Sequence, residues 1–170
     1  LGTSAGYLVA LGADQILARH SSVTGSIGVL IQTADFTELL QLLGISAETI
    51  KSSPLKATPS PVEELTPEAR AAAQAVVDDI YRWFVDLVAE RRDMGPLEAL
   101  QLADGGVFTG RQAVANRLVD AIGGIDEARE WLQNTYGIDL DLPTVAVDAP
   151  RRLSLAFDLL SLGQKTLFSE

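Results

Sequence analysis

The sequence predicts an α/β fold. Short apolar stretches bounded by glycine alternate with stretches of helical spacing, as expected of strands and helices sharing one core. The 170 residues suffice for one domain with a sizeable core, and 47% of them are apolar, which places the chain among globular proteins. Glycine pairs and a proline cluster punctuate the pattern where turns and an extended connection belong.

The elements follow in order. Residues 5–12 (AGYLVALG) read as a short buried helix, and residues 15–19 (QILAR) as a strand. Residues 24–32 (TGSIGVLIQ) read as a glycine-flanked buried strand or turn-strand. Residues 35–43 have helical spacing and stop at Gly44, a residue suited to the position after a helix end. Residues 46–51 (SAETIK) read as a further strand. Pro54, Pro59, Pro61 and Pro67 then make 52–67 an extended connection.

The longest helix comes next. Thr66 is suited to the N-cap, Pro67 to the first helical position and Glu68 to the positive end of the dipole. Val76, Ile80, Trp83, Phe84, Leu87 and Val88 recur at helical spacing and predict its core face. Arg91 and Arg92 fill the last turn, and Gly95 follows. A short helix is expected over 97–103, a turn at Gly105-Gly106, and a helix over 110–118 entered through Thr109. Leu118-Val119-Asp120 reads as a short strand, Gly123-Gly124 as a turn, and Asp126 as the cap of a helix reaching about Asn134. A last strand is expected over 144–148, and the apolar tail 153–163 has the composition of a docking segment.

Charge and composition exclude several classes. The net charge is −10, which repels nucleic acid and anionic lipid surfaces, and no basic run offsets it. The chain has no cysteine, so thiolate nucleophiles, thiolate metal sites and disulfides are ruled out. No stretch approaches the 18 or so uncharged apolar residues of a membrane span. An elbow needs a strand before it, and a serine at position 4 leaves no room for one. The expectation is therefore the C-terminal part of a longer protein, with any targeting segment or anchor ahead of it.

Gly2-Thr3-Ser4-Ala5-Gly6 matches G-x-S-x-G. That pattern puts a serine hydroxyl on a tight turn between a strand and a helix, although an ordinary turn has the same composition. If the serine is a nucleophile, the Ala5 N–H is placed to stabilise an oxyanion. Serine needs a base. His20 is the lone histidine and lies 16 residues on, beside Arg19, so a downstream triad histidine and an H-E-x-x-H metal motif are both lacking. Lysine remains, at 51, 56 and 165. Arginine stays protonated, whereas a desolvated lysine can accept a proton. Lys56 lies in an uncharged, partly rigid setting, Pro54-Leu55-Lys56-Ala57-Thr58-Pro59, that is equally read as a solvated loop. In Thr24-Gly25-Ser26-Ile27-Gly28 the glycines permit close backbone approach, and the Ser26 hydroxyl is suited to holding an amine; a glycine-kinked core strand has the same pattern.

As an ordered set, these segments resemble the signal peptide peptidase A family, the Ser/Lys peptidases of the S49 group. Gly2-Thr3-Ser4-Ala5-Gly6-Tyr7 is similar to the family's A-S-G-G-Y-Y, with Ala5 in place of the first glycine of the pair and Leu8 where a second tyrosine is common. Ala13-Asp14-Gln15-Ile16 resembles A-A-D-x-I, Thr24 to Val29 resembles T-G-S-I-G-V, and Ile50-Lys51-Ser52 leading to Lys56 resembles I-K-S-G-x-x-K. Phe108 to Ala113 and Leu118-Val119-Asp120 resemble later family segments, and the likeness runs to about residue 135.

The resemblance implies Ser4 as nucleophile, Lys56 as general base 52 residues on, and Ser26 as the hydroxyl that positions the lysine. It also implies Ala5 as an oxyanion donor, with Gly25 and Ile27 at the substrate strand. The implied fold is the Clp protease and crotonase type, built of stacked ββα units, with its N-terminal part upstream of residue 1. Residues 1–136 then form the peptidase domain, and 137–170 an extension suited to oligomer docking. The implied enzyme is a homo-oligomer that needs no metal or other cofactor. Its partners are polypeptides, namely remnant signal peptides or other membrane-proximal chains. It is expected to be held at the bacterial inner membrane by an N-terminal anchor, with its catalytic domain on the periplasmic side. A lysine base predicts activity that rises toward alkaline pH. Two other readings stay open: a non-catalytic peptide-binding oligomeric scaffold, and a hydrolase with an N-terminal nucleophile exposed by processing before Thr3 or Ser4.

Overall fold

Helices carry most of the packing here, because the strands are only two or three residues long. The computed structural model describes residues 1–147. Its elements are β1 (Gly2–Thr3), α1 (Ala5–Ala10), β2 (Leu17–Ala18), β3 (Val23–Gly25), α2 (Thr37–Leu42), α3 (Pro67–Arg91), α4 (Pro96–Leu102), β4 (Val107–Thr109), α5 (Gly110–Ala115), β5 (Ala121–Ile122) and α6 (Ile125–Tyr136). The mixture of helix and sheet is the α/β class that the alternation predicts. Contacts divide the chain into Leu1–Ala128 and a second unit beginning at Arg129.

Two small sheets organise the first unit. One has the order β1-β3-β4 and the other pairs β2 with β5. β1 runs parallel to β3, with Gly2 opposite Thr24 and Thr3 opposite Gly25. β3 runs antiparallel to β4, and β2 parallel to β5. The Thr24 hydroxyl donates to the Gly2 carbonyl at 2.7 Å, which ties the register of β1 to β3. Beneath the sheets, Tyr7 and Leu11 meet Ile27, Phe84, Val88, Ala99, Ala113 and Leu118 in one buried cluster.

Polar clamps fix the helices around that core. Tyr7 Oη donates to the buried Leu118 carbonyl at 2.7 Å. Arg91 donates to the Leu11 and Ala13 carbonyls and so closes the C-terminal end of α1. Asp120 accepts from the Ile16 N–H and from Arg92, both at 2.6 Å, joining the entry to β2 with the end of α3. A Cβ at Gly110 would lie 2.0 Å from the Arg19 carbonyl oxygen, so only glycine lets α5 start against β2. In the second unit, Arg129 donates to the Leu140 and Leu142 carbonyls, and the Trp131 and Tyr136 rings meet edge to edge-on face.

Several expectations need correction. The strand expected over 24–32 ends at Gly25, because β1 and β4 offer only two and three paired residues and Ser26, at φ 52°, turns the chain away. Residues 46–51 form no strand, having no partner ladder, and Lys51 pairs with Glu63 instead. Leu118 and Val119 enter the core, and pairing starts only at Ala121. The first turn of α6 contains Asp126, while Glu127 Oε2 accepts from the Gly124 N–H ahead of the helix. Val76, Ile80 and Trp83 are 50%, 40% and 52% exposed. Only the C-terminal half of α3, through Phe84, Val85 and Val88, reaches the core cluster. The strand before the serine does exist, as the two residues of β1, and β4 is an element the sequence reading lacks. Residues 144–147 hold no regular element; residue 148 and the tail 153–163 lie outside the described residues.

Candidate active site

Ser4 stands at the junction of β1 and α1 with φ 50° and ψ −118°. A non-glycine residue with positive φ is uncommon and costs of order 1–3 kcal/mol, so surrounding structure must enforce it. Two hydrogen bonds do so here. The Ser4 N–H donates to the Gly25 carbonyl at 2.8 Å, and the Ser4 carbonyl accepts from Leu8 N–H at 2.9 Å. The first bond fixes Ser4 to the end of β3, and the second starts α1. This is the sharp strand-to-helix turn that exposes a serine hydroxyl at the edge of a sheet.

Gly25 and Ser26 form the neighbouring wall, and both have positive φ, 81° and 52°. A Cβ at Gly25 would fall 2.6 Å from the Phe108 ring and 3.1 Å from the Gly106 carbonyl, so the position requires glycine on both counts. Ser26 N–H donates to the Gly106 carbonyl at 2.7 Å, and Gly105 N–H to the Ile27 carbonyl at 3.2 Å. The Asp104-Gly105-Gly106 turn is thereby stitched to the segment that follows β3.

These elements enclose a cavity of about 730 Å³. Ser4, Ala5 and Ser26 line it together, so residues expected to act as nucleophile, oxyanion donor and positioning hydroxyl share one space. The first N–H groups of a helix have no intrahelical acceptor, and Ala5 is the first residue of α1. Gly25 contributes its carbonyl to Ser4 rather than a face of the cavity. The Ile27 side chain is fully buried in the core, and Val29 and Leu30 supply the apolar wall on that side.

Lys56 is exposed, on the connection between α2 and α3, and does not line this cavity. Its N–H donates to Ser53 O at 3.1 Å, and Ala57 after it has φ 62°. The other lysine of that segment is engaged: Lys51 Nζ donates to Glu63 Oε2, with the two side chains 16% and 26% exposed. The Lys51 and Thr49 side chains hold the Glu63 carboxyl below the usual carboxylate range. His20 is exposed and lines a different cavity, beside Arg19 and the start of α6.

The sequence reading lacks the distant walls. Ile80, Tyr81 and Phe84 of α3 and Asp104 complete the lining. Helical spacing marks Ile80 and Phe84 as apolar-face residues, but nothing local to them points to Ser4, 76 and 80 positions away. Tyr7, next to the site on α1, has its phenol pushed well above its ordinary value by burial; nearby Arg92 works against that shift and Asp120 adds to it.

Comparison with known proteins gives the family of the chain. Residues 1–139 match the model of peptidase family S49. A protein of Synechocystis, provisionally named a protease, is 38% identical over 141 residues, covering 83% of this chain and 51% of that protein. An Enterococcus faecium protein, provisionally named signal peptide peptidase SppA, is 39% identical over 130 residues, 76% of this chain and 38% of that protein. Protease 4 of Salmonella typhi is 34% identical over 128 residues, 75% of this chain and 21% of that protein. The chain thus spans about half the length of these relatives or less. A strained serine elbow, a T-G-S-I-G wall beside it and a family match over most of the sequence lead to one conclusion: the chain belongs to peptidase family S49.

Proposed function

We propose that this chain is the C-terminal part of the catalytic domain of a serine endopeptidase that works with a Ser/Lys dyad. The observation that carries the reading is Ser4, held at φ 50° and ψ −118° on the wall of a cavity large enough for a peptide segment. In this reading the neutral Lys56 amine takes the Ser4 hydroxyl proton, and Oγ attacks the peptide carbonyl carbon. The carbonyl oxygen becomes an oxyanion beside the Ala5 N–H. The lysine returns its proton to the leaving amine, an acyl-enzyme forms, and water activated by the same lysine releases the acid. The Ser26 hydroxyl orients the amine, while Gly25 and Ile27, whose carbonyls are taken by Ser4 and Gly105, hold the wall in shape.

Lys56 is absent from the cavity of its own chain, and the segment before it exposes apolar side chains at Leu30 (77%), Leu42 (84%) and Ile50 (95%). This favours a homo-oligomer in which a neighbouring copy covers that surface and the dyad is completed. The family membership supports a crotonase-like fold for the whole protein. Among the described residues no helix is long and apolar enough to cross a membrane. The reading puts the anchor upstream, the domain on the periplasmic side of the inner membrane, and remnant signal peptides or other membrane-proximal chains as substrates. The exposed Lys56 is also what a non-catalytic, peptide-binding scaffold would show, but a scaffold leaves the strain at Ser4 without a purpose.

A serine-directed acylating probe on the full-length assembled protein separates the two. The probe is expected to label Ser4, to lose that label in Ser4→Ala, and to react roughly 100-fold or more slowly in Lys56→Ala. Equal labelling of wild type and Lys56→Ala defeats the dyad, and no labelling of wild type defeats the peptidase reading.

A further inference from the structure

The cavity beside Ser4 has a mixed wall, with Leu8, Leu30, Ile80 and Phe84 supplying its apolar side chains. A single lining residue carries a formal charge, and it is Asp104. Among the described residues Asp104 forms no ion pair; the three ion pairs there use Glu63, Asp120 and Glu98. The position of this carboxylate is set by its surroundings. Tyr81 Oη donates to the Ala103 carbonyl at 2.8 Å, immediately before it. Gly105 and Gly106, immediately after it, bond to Ile27 and Ser26. Gly106 N–H donates to Asp104 Oδ1 at 2.7 Å, and a Cβ at Gly106 would lie 2.8 Å from that same oxygen. Glycine at 106 therefore lets the carboxylate fold onto the turn. One such bond uses only part of a carboxylate's acceptor capacity, which is about four lone-pair sites.

An unpaired carboxylate is out of place near developing negative charge. Attack on a peptide carbonyl builds an oxyanion, and a like charge on the wall of the same cavity raises its energy; Asp104 is exposed, so solvent and salt screen that repulsion in part. A cation on the substrate removes that penalty and gains a charge-assisted hydrogen bond. We propose that Asp104 is a specificity residue that reads a positively charged side chain, lysine or arginine, next to the bond held at Ser4. The inference rests on the reading that a polypeptide lies along Ser4, and it narrows the substrates to chains that pair apolar residues with a basic one at the scissile site.

The test uses peptides that differ only in Lys or Gln at each position flanking the cleaved bond, with the full-length assembled protein and its Asp104→Asn variant. Asparagine keeps an oxygen for Gly106 N–H, so the turn survives while the charge is lost. For one flanking position the wild type is expected to favour Lys over Gln by about 10-fold in kcat/KM. That ratio is expected to fall to about one in Asp104→Asn and to shrink with added salt in the wild type. The Ser4→Ala protein provides the same comparison as binding, without cleavage. A Lys preference in binding with no cleavage by the wild type upholds the role of Asp104 and sinks the peptidase reading. Cleavage with equal rates for Lys and Gln at every position, in wild type and variant alike, does the reverse. A variant that shifts the pH profile equally for both peptides and leaves their ratio unchanged overturns the proposal, since Asp104 then acts on the lysine base.

Discussion

At the scale of single residues, backbone strain and buried polar atoms mark the important positions. Of the five non-glycine residues with positive φ among the described residues, Ser4, Ser26 and Ala57 lie in segments the reading assigns to the site, and Asp93 and Arg117 lie just past the ends of α3 and α5. Tyr7 shows the buried polar case. Its ring is fully buried, and its hydroxyl supplies the Leu118 carbonyl with a donor. Tyr7→Phe keeps the ring and leaves that carbonyl without this donor. Denaturant unfolding is expected to show a loss of about 1–3 kcal/mol, the usual cost of an unsatisfied buried group. An unchanged midpoint would mean that the carbonyl finds another partner. The serine itself was legible in G-x-S-x-G, because an elbow is made by five consecutive residues. Asp104 was not, because its place depends on hydrogen bonds that tie its neighbours Ala103, Gly105 and Gly106 to Tyr81, Ile27 and Ser26, which lie far away in sequence.

At the scale of elements, local chemistry predicts helix ends well and strands poorly. Thr66 accepts from Ala69 N–H, with Pro67 and Glu68 in the first turn of α3, as the sequence suggests. Thr109 opens α5 with a reciprocal capping box: its hydroxyl accepts from Gln112 N–H, and Gln112 Oε1 accepts from Thr109 N–H at 2.8 Å. Thr109→Ala is expected to cost about 1 kcal/mol, read as a lowered thermal midpoint; no change would assign the start of α5 to its packing on β2 alone. Strands depend on partners. Residues 46–51 have strand composition and no ladder, whereas β4, which reads as a turn and helix entry, pairs with β3 because Gly25 and Val107 come into register. The Lys51–Glu63 pair closes the base of the loop that carries Lys56. The Glu63 carboxyl is held below its ordinary value, so its contribution is complete above the unfolded value, near 4.3, and is lost as pH falls through the folded one. The thermal midpoint of Glu63→Gln is therefore expected to lie below that of wild type at neutral pH. The gap should close in acid below about pH 4. A gap independent of pH would exclude the ion pair as its source.

At the scale of the whole molecule, the first unit has a well-formed core and an unfinished surface. Tyr7, Leu11, Ile27, Val88 and Leu118 are essentially inaccessible, yet Leu30, Leu42, Leu43 and Ile50 are largely exposed on the long connection around α2. Several large apolar side chains left exposed along one connection are expected of an interaction surface. Sedimentation of the full-length protein is expected to give a discrete multimer, and Leu42→Glu with Ile50→Glu is expected to shift it toward monomer with loss of turnover; a wild-type monomer at micromolar concentration would reject the oligomeric site. The sequence alone determined the α/β class, the caps of α3 and α5, the serine turn and the exclusion of cysteine chemistry, because each rests on composition or on residues within a few positions of one another. Only the tertiary structure decided which distant side chains wall the cavity, that Lys51 is taken by Glu63, and that Asp104 stands beside Ser4. Those facts come from packing that joins residues 12 positions apart in the Lys51–Glu63 pair and 100 apart in Ser4 and Asp104, and such packing leaves no periodic trace in the chain.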